Sequence, residues 1–216
     1  TPGNEPFAYT QIYNATYLSG GPEGDADKSM FRLRENWGGY YKNCIFGEYN
    51  GSAVRIDDNT TPDSKDRLDA GELELTNNIW FNFSAGDDWL SLADGTQFVA
   101  DYLGSSAAAN AVADPMLTSI DRTPADAIAL DPRPSACGPA YGNLADYPAG
   151  DDFFMPVDYK GAFGDELWIA GWTALDSYGF LPQAGEVEVT QNITENTTWT
   201  SNNIYILKER IYVVDG

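Results

Sequence analysis

Short runs along the first part of the chain alternate apolar and charged residues. Phe31-Arg32-Leu33-Arg34 and Val54-Arg55-Ile56-Asp57 each place apolar side chains on one face and charged ones on the other. Glu72-Leu73-Glu74-Leu75 repeats the pattern. Period-two alternation predicts half-buried strands. Around these runs a second motif recurs: Tyr13-Asn14-Ala15-Thr16-Tyr17, Lys42-Asn43-Cys44-Ile45-Phe46 and Asn77-Asn78-Ile79-Trp80-Phe81. Each copy holds an asparagine, a small or apolar residue and, two places on, an aromatic. Aligned on Asn14, Asn43 and Asn78, the copies are 29 and 35 residues apart, within the range of stacked structural repeats.

The simplest object with short strands in each repeat and a fixed register between repeats is a parallel β-solenoid. Equivalent positions of successive turns then lie about 4.8 Å apart. Asparagine amides can bond to one another at that spacing, and asparagine tolerates the left-handed backbone of a sharp corner. This alignment predicts one inward stack of Ala15, Cys44 and Ile79 and another of Tyr17, Phe46 and Phe81.

Elsewhere the pattern changes. Residues 1–8 form an irregular lead-in, and 19–29 a loop rich in glycine and carboxylates. Ser64–Leu68 can make one helical turn on an excursion from the strands. Residues 95–103 have apolar positions at helical spacing, with Asp94 as the predicted cap. Three prolines between Asp131 and Ala140 exclude a helix or central strand there. Leu167, Trp168, Trp172 and Leu175 suggest a helix interrupted at Gly171. Beyond a linker at 183–185, Val187–Thr190, Asn196–Trp199, Ile204–Leu207 and Ile211–Val214 read as short strands. The expected organisation is parallel coils over 1–135, a loop-and-helix cover over 136–183 and further strands over 184–216. Phe153, Phe154, Tyr159, Phe163, Trp168 and Trp172 are expected to glue the cover in place; rings of this kind also stack on sugars.

Composition narrows the functions. The 216 residues are 43% hydrophobic and 13% aromatic, with six Trp and thirteen Tyr, enough for a sizeable core. Thirty-three acidic residues against twelve basic ones give a net charge of −21. That argues against nucleic acid and anionic membrane surfaces, which require basic patches, and suits an extracellular or cell-surface protein. No apolar run is long enough to span a bilayer, so no membrane insertion is expected. Histidine is absent, which excludes His-dependent nucleophiles and His-ligated zinc. Cys44 and Cys137 leave two readings: one disulfide, or a small buried hydrophobe at Cys44.

With these residues in view, the chain resembles a family of secreted bacterial proteins with right-handed parallel β-helix repeats. Ile12–Tyr17 and Gly38–Phe46 look like its coil pattern. Asp114–Leu117 with Leu130–Ala140 is similar to the segment that closes such helices, and Ile193–Thr200 through Gly216 to the segment that opens them. The resemblance implies a fold dominated by β-structure, a right-handed parallel β-helix with short helices and a loop-rich cap. It carries no catalytic residues. A closing segment preceding an opening one implies either the junction of two modules or a subunit whose C-terminal strands complete a neighbour.

Candidate chemistry is sparse. Asp25 and Asp27 alternate as at the start of a calcium loop, although the full EF-hand spacing is missing. Polysaccharide cleavage would call on Arg32 and Arg55, flanked by Asp57 and Asp58, or on the carboxylate pairs Asp87-Asp88 and Asp151-Asp152. Neighbours on a strand point to opposite faces, so neither pair suits hydrolysis outside a loop. Six Asn-x-Ser/Thr triplets occur, at Asn14, Asn50, Asn59, Asn82, Asn192 and Asn196; asparagine turns beside threonine strands produce them without glycosylation. The expectation is a non-catalytic extracellular module that self-associates head to tail, into a surface fibre or repeat array, through Val187, Val189, Trp199, Ile204, Ile206, Ile211 and Val213. Its partners would be copies of itself or adjacent β-helix modules. The runner-up is a polysaccharide-binding or polysaccharide-cleaving protein.

Overall fold

A computed structural model describes residues 5–25, 28–59, 61–121, 130–150, 152–182, 185–195, 197, 199 and 203–214. The fold is mixed and β-rich, with several small parallel sheets and few, short helices. It divides into two compact units, residues 1–116 with 136–162, and residues 117–135 with 163–216.

The first unit is built from three repeated strands. These are β1 (Tyr9–Tyr13), β2 (Thr16–Leu18) and β3 (Ser29–Leu33), followed by β4 (Gly38–Lys42), β5 (Ile45–Tyr49) and β6 (Ser52–Ile56). After α1 (Ser64–Asp69) come β7 (Leu73–Thr76) and β8 (Ile79–Phe83), and after α2 (Trp89–Leu92) and α3 (Gln97–Leu103) comes β9 (Ala111–Val112). All pairings here are parallel: β1-β4-β7 form one sheet, β2-β5-β8-β9 a second and β3-β6 a third. Successive passes of the chain thus add strands to the first two sheets in parallel register, while the third sheet receives strands from two passes.

The corners between β1 and β2, β4 and β5, and β7 and β8 turn at Asn14, Asn43 and Asn77, with φ of 54°, 56° and 58°. Asparagine is there because its short side chain tolerates this left-handed backbone. The register sets Lys42 beside Thr76 and Ile45 beside Ile79, so Asn43 corresponds to Asn77. The alignment on Asn78 is therefore one residue out, and such a slip exchanges the faces. The inward stacks are Ala15, Cys44 and Asn78, and Tyr17, Phe46 and Trp80; Ile79 and Phe81 point the other way. Phe46 stacks on Trp80 at 4.4 Å and on Tyr17 at 5.1 Å, with Phe31 edge-on to all three. Leu73, Leu75, Val54, Leu92, Val99 and Leu103 complete the core.

Asparagines stabilise this unit in two ways, neither of them amide to amide between the corners. Inside, Asn78 is fully buried; its Oδ1 accepts from Cys44 N–H at 2.8 Å and its Nδ2 donates to Tyr41 O at 2.9 Å. Asn110 does the same one pass on, accepting from Asn78 N–H at 3.0 Å and donating to Leu75 O at 2.7 Å. At the corners the amides face residues 139–162. Asn43 donates to Ala145 O at 3.0 Å and accepts from Ala145 N–H at 2.7 Å. Asn77 donates to Asn143 O at 2.9 Å, and Asn14 bonds Tyr159 O and the Tyr147 hydroxyl. Residues 139–162 thus form a strap across one row of corners. Gly161 takes φ +82° to pass there, where a Cβ would stand 2.6 Å from Thr16 Oγ1 and 2.8 Å from Ile45 Cδ1.

The helices differ in part from expectation. Asp63 caps α1 in a reciprocal capping box with Asp66. Asp94 does not cap α3: it is itself left-handed, at φ 52°, and the cap position is Thr96. Asp88 instead caps α2, accepting from Leu90 and Ser91 N–H at 3.0 Å. A 3-10 turn at Pro139–Tyr141 uses proline at its start, where the missing N–H costs nothing.

The second unit holds an antiparallel pair, β10 (Leu117–Ile120) with β11 (Leu130–Pro134), then α4 (Ala174–Ser177) and a parallel pair, β12 (Gly185–Val189) with β13 (Asn203–Leu207). The prolines of β11 are tolerated because a two-stranded sheet consists of edges alone. Phe163, Leu167, Ile169 and Leu181 are buried. The helix expected over 165–178 is reduced to four residues, because Gly171 turns at φ +84°. The predicted strand at 196–199 includes residues outside those described, and its described members Thr197 and Trp199 are not in a strand.

Candidate functional site

The residues predicted to form a subunit contact lie in the second unit, and parallel register decides which of them act together. Val187 pairs with Tyr205 and Val189 with Leu207, whereas Ile204 pairs with Glu186 and Ile206 with Glu188. Side chains directly across a parallel pair share a face. One face of β12-β13 therefore carries Val187, Val189, Tyr205 and Leu207, with Asn203 opposite Gly185 at its start; the other mixes Ile204 and Ile206 with two glutamates. The seven predicted residues thus do not form one surface. Tyr205 and Leu207 belong with the valines, and only the pairing, invisible without a partner strand, assigns them.

The apolar face is open. Val187 and Leu207 are exposed, and Trp199 stacks on Tyr205 at 4.5 Å with near-parallel rings while keeping 43% of its own surface. Further on, Ile193 and Val213 form a parallel bridge, held by Ile193 N–H to Tyr212 O and Val214 N–H to Ile193 O, both at 2.9 Å. Val213 is 80% exposed and Ile211 half-buried. Both pairings of this C-terminal segment are thus parallel, and much of their aliphatic surface is exposed. Lys208 N–H donates back to Val189 O at 3.1 Å. Alternation along a strand then turns the Leu207 and Tyr205 N–H groups away from β12. In the first unit β1 ends its sheet. Gly38 N–H donates to Ala8 O and Asn14 N–H to Lys42 O, so by the same alternation Tyr9, Gln11 and Tyr13 turn their N–H groups away from β4.

The arginines singled out for polysaccharide chemistry are neighbours in register, Arg32 beside Arg55. Asp57 sits between them, accepting from Arg32 Nη2 at 2.9 Å and Arg55 Nε at 3.1 Å. The bond to Asp57 raises the Arg32 pKa. One buried carboxylate thus engages both cations; Asp58 is exposed beside them in sequence. Asp87 is exposed, and Asp88 is occupied as the cap of α2, so this pair does not act as a couple. Asp151 lies outside the described residues, as does Asp27; Asp25 is exposed. Among the described residues no group of three or more His, Cys, Asp or Glu side chains is placed to hold a metal ion. Cys44 and Cys137 are both free thiols rather than a disulfide: Cys44 is fully buried in its stack, Cys137 exposed. No described helix is long and apolar enough to cross a membrane.

One buried cation escaped the sequence reading. Lys160, in the strap, is 3% exposed and donates from Nζ to Asn77 O and, at 2.6 Å, to Asn143 O. Burial lowers its pKa from 10.5 to about 8. Burial raises the Cys44 thiol from 9.0, and the Tyr102 hydroxyl from 10.0, to about 12. Between pH 8 and 10.5 the unfolded chain holds the Lys160 proton that the folded protein has released, so this group makes stability rise with pH. Cys44 and Tyr102 act oppositely, because the unfolded chain loses their protons first, from about 9 and 10 upward. Each pH unit by which a pKa moves is worth about 1.4 kcal/mol. Thermal unfolding followed from pH 7 to 12 should show Tm level or rising between 8 and 9 and falling steeply above 10. Lys160→Met should abolish the rise alone.

Comparisons with family models, curated proteins and solved structures gave no match to this chain.

Proposed function

We propose that the chain is a structural module of the β-solenoid type, right-handed as the sequence resemblance implies, that joins copies of itself head to tail outside the cell. The single observation that carries this reading is the exposed parallel pair β12-β13, with aliphatic side chains open on its surface and the Leu207 N–H turned away from β12. Parallel strands are ordinarily covered on both faces, and an open edge invites a further strand. The edge of β1 offers a complementary row. When the outer edge of β13 in one copy pairs with the β1 edge of the next, the contact is heterologous and the polymer stays open. No catalytic group is needed for this role, and Arg32 and Arg55 are both tied to Asp57.

Leu207→Pro tests the reading. Proline removes the N–H that points outward while leaving the bonds from β13 to β12, as edge strands allow. The variant should fold and stay monomeric in sedimentation velocity at concentrations where the parent protein assembles. Unchanged assembly of Leu207→Pro would contradict edge-to-edge pairing.

A further inference from the structure

The second unit carries a row of aromatic rings that strand association leaves unused. Phe163 is buried; Trp168 stacks on it at 5.5 Å with 14° between the planes; Trp172 stacks on Trp168 at 6.1 Å with 26°. Exposure climbs along the row, to 46% at Trp168 and 69% at Trp172, and Leu175 and Tyr178 beside them are also exposed. An exposed indole is ordinarily free to turn, but this one is fixed: Trp172 Nε1 donates to Trp168 O at 2.7 Å. Asp176 Oδ2 accepts from Gly171 N–H at 3.0 Å, which ties the carboxylate to the residue preceding Trp172.

We infer that Trp172, backed by Trp168 and flanked by Asp176, is a stacking platform for a neutral pyranose of a polysaccharide chain. A flat, immobilised ring at the open end of a stack offers its face to the C–H side of a sugar, while a nearby carboxylate accepts from hydroxyls. Charge selects among the occupants. Asp165, Glu166 and Asp176 lie within this short segment and repel anionic lipid or an acidic glycan. The aliphatic surface proposed to join copies lies on β12-β13 rather than on this segment. An uncharged, hydroxyl-rich ligand meets no charge repulsion and uses both the ring and the carboxylate.

Affinity electrophoresis through gels containing laminarin, galactomannan, xyloglucan or soluble starch tests this directly. The parent protein should be retarded by at least one of them, equally at low and high salt. Trp172→Ala should weaken that retardation about tenfold, the scale of one lost stacking contact, while Trp172→Phe, which keeps a ring but not the bond that fixes it, should fall between the two. Trp199→Ala and Leu207→Pro, both placed in the strand-association surface, should be retarded like the parent, so the two proposals fail separately. No retardation by any of the four polysaccharides, equal retardation of Trp172→Ala, or loss of self-association in Trp172→Ala without an effect on retardation would overturn the platform.

Discussion

Removing residues 185–216 is expected to turn an assembling protein into one that remains monomeric at every concentration. The deleted segment contains β12, β13 and the Ile193–Val213 bridge, whose strands are bonded to each other. Its apolar side chains lie largely on the surface: Val187, Ile204, Leu207, Val213 and Val214 are each at least 39% exposed. Little buried area is therefore lost on truncation, and the parallel sheets of residues 5–116 retain all their pairings. Exposed aliphatic side chains covered on assembly contribute about 25 cal/mol per Å², and the outward Leu207 N–H joins the added strand. Size-exclusion chromatography with light scattering reads the outcome. Polymerisation of the truncated chain would move the contact elsewhere.

Trp80→Ala is the most damaging single substitution expected in the first unit. Trp80 is fully buried, faces Phe46 at 4.4 Å and lies edge-on to Phe31 at 6.4 Å. Deleting a buried indole costs about 3–5 kcal/mol through lost transfer energy and the cavity left behind. Parallel stacking aggravates the loss, because Phe46 in turn supports Tyr17 in the pass before it. The Trp80 Nε1 has no hydrogen-bond partner among the described residues, so Trp80→Phe loses volume but no bond and should cost less than half as much. Urea unfolding of both variants measures the difference. Equal losses would mean that the indole N–H carries the stability.

The sequence carried the strand pattern of the first unit because two local signals coincide there: alternation, and an asparagine wherever a corner needs φ near +55°. It failed by one residue at Asn77-Asn78, where either asparagine satisfies the motif. Only the backbone distinguishes the one that turns from the one whose amide enters the core. The strap was illegible for a different reason. Residues 139–162 hold the corners mainly through backbone carbonyls and N–H groups, at Ala145, Asn143 and Tyr159, and such contacts leave no side-chain pattern. Lys160 stood out as little, since a buried lysine looks like any other until its surroundings close over it. In the C-terminal strands, alternation was visible within each strand, but the register that unites Val187 with Tyr205 depends on pairing across a connection whose length sets no rule.

Electron microscopy with fibre diffraction of the assembled parent protein tests head-to-tail strand addition most directly. The account predicts unbranched fibres with one axial repeat per subunit and a reflection near about 4.8 Å along the fibre axis, the spacing of strands added edge to edge. Discrete particles at every concentration, or fibres without that axial reflection, would contradict it.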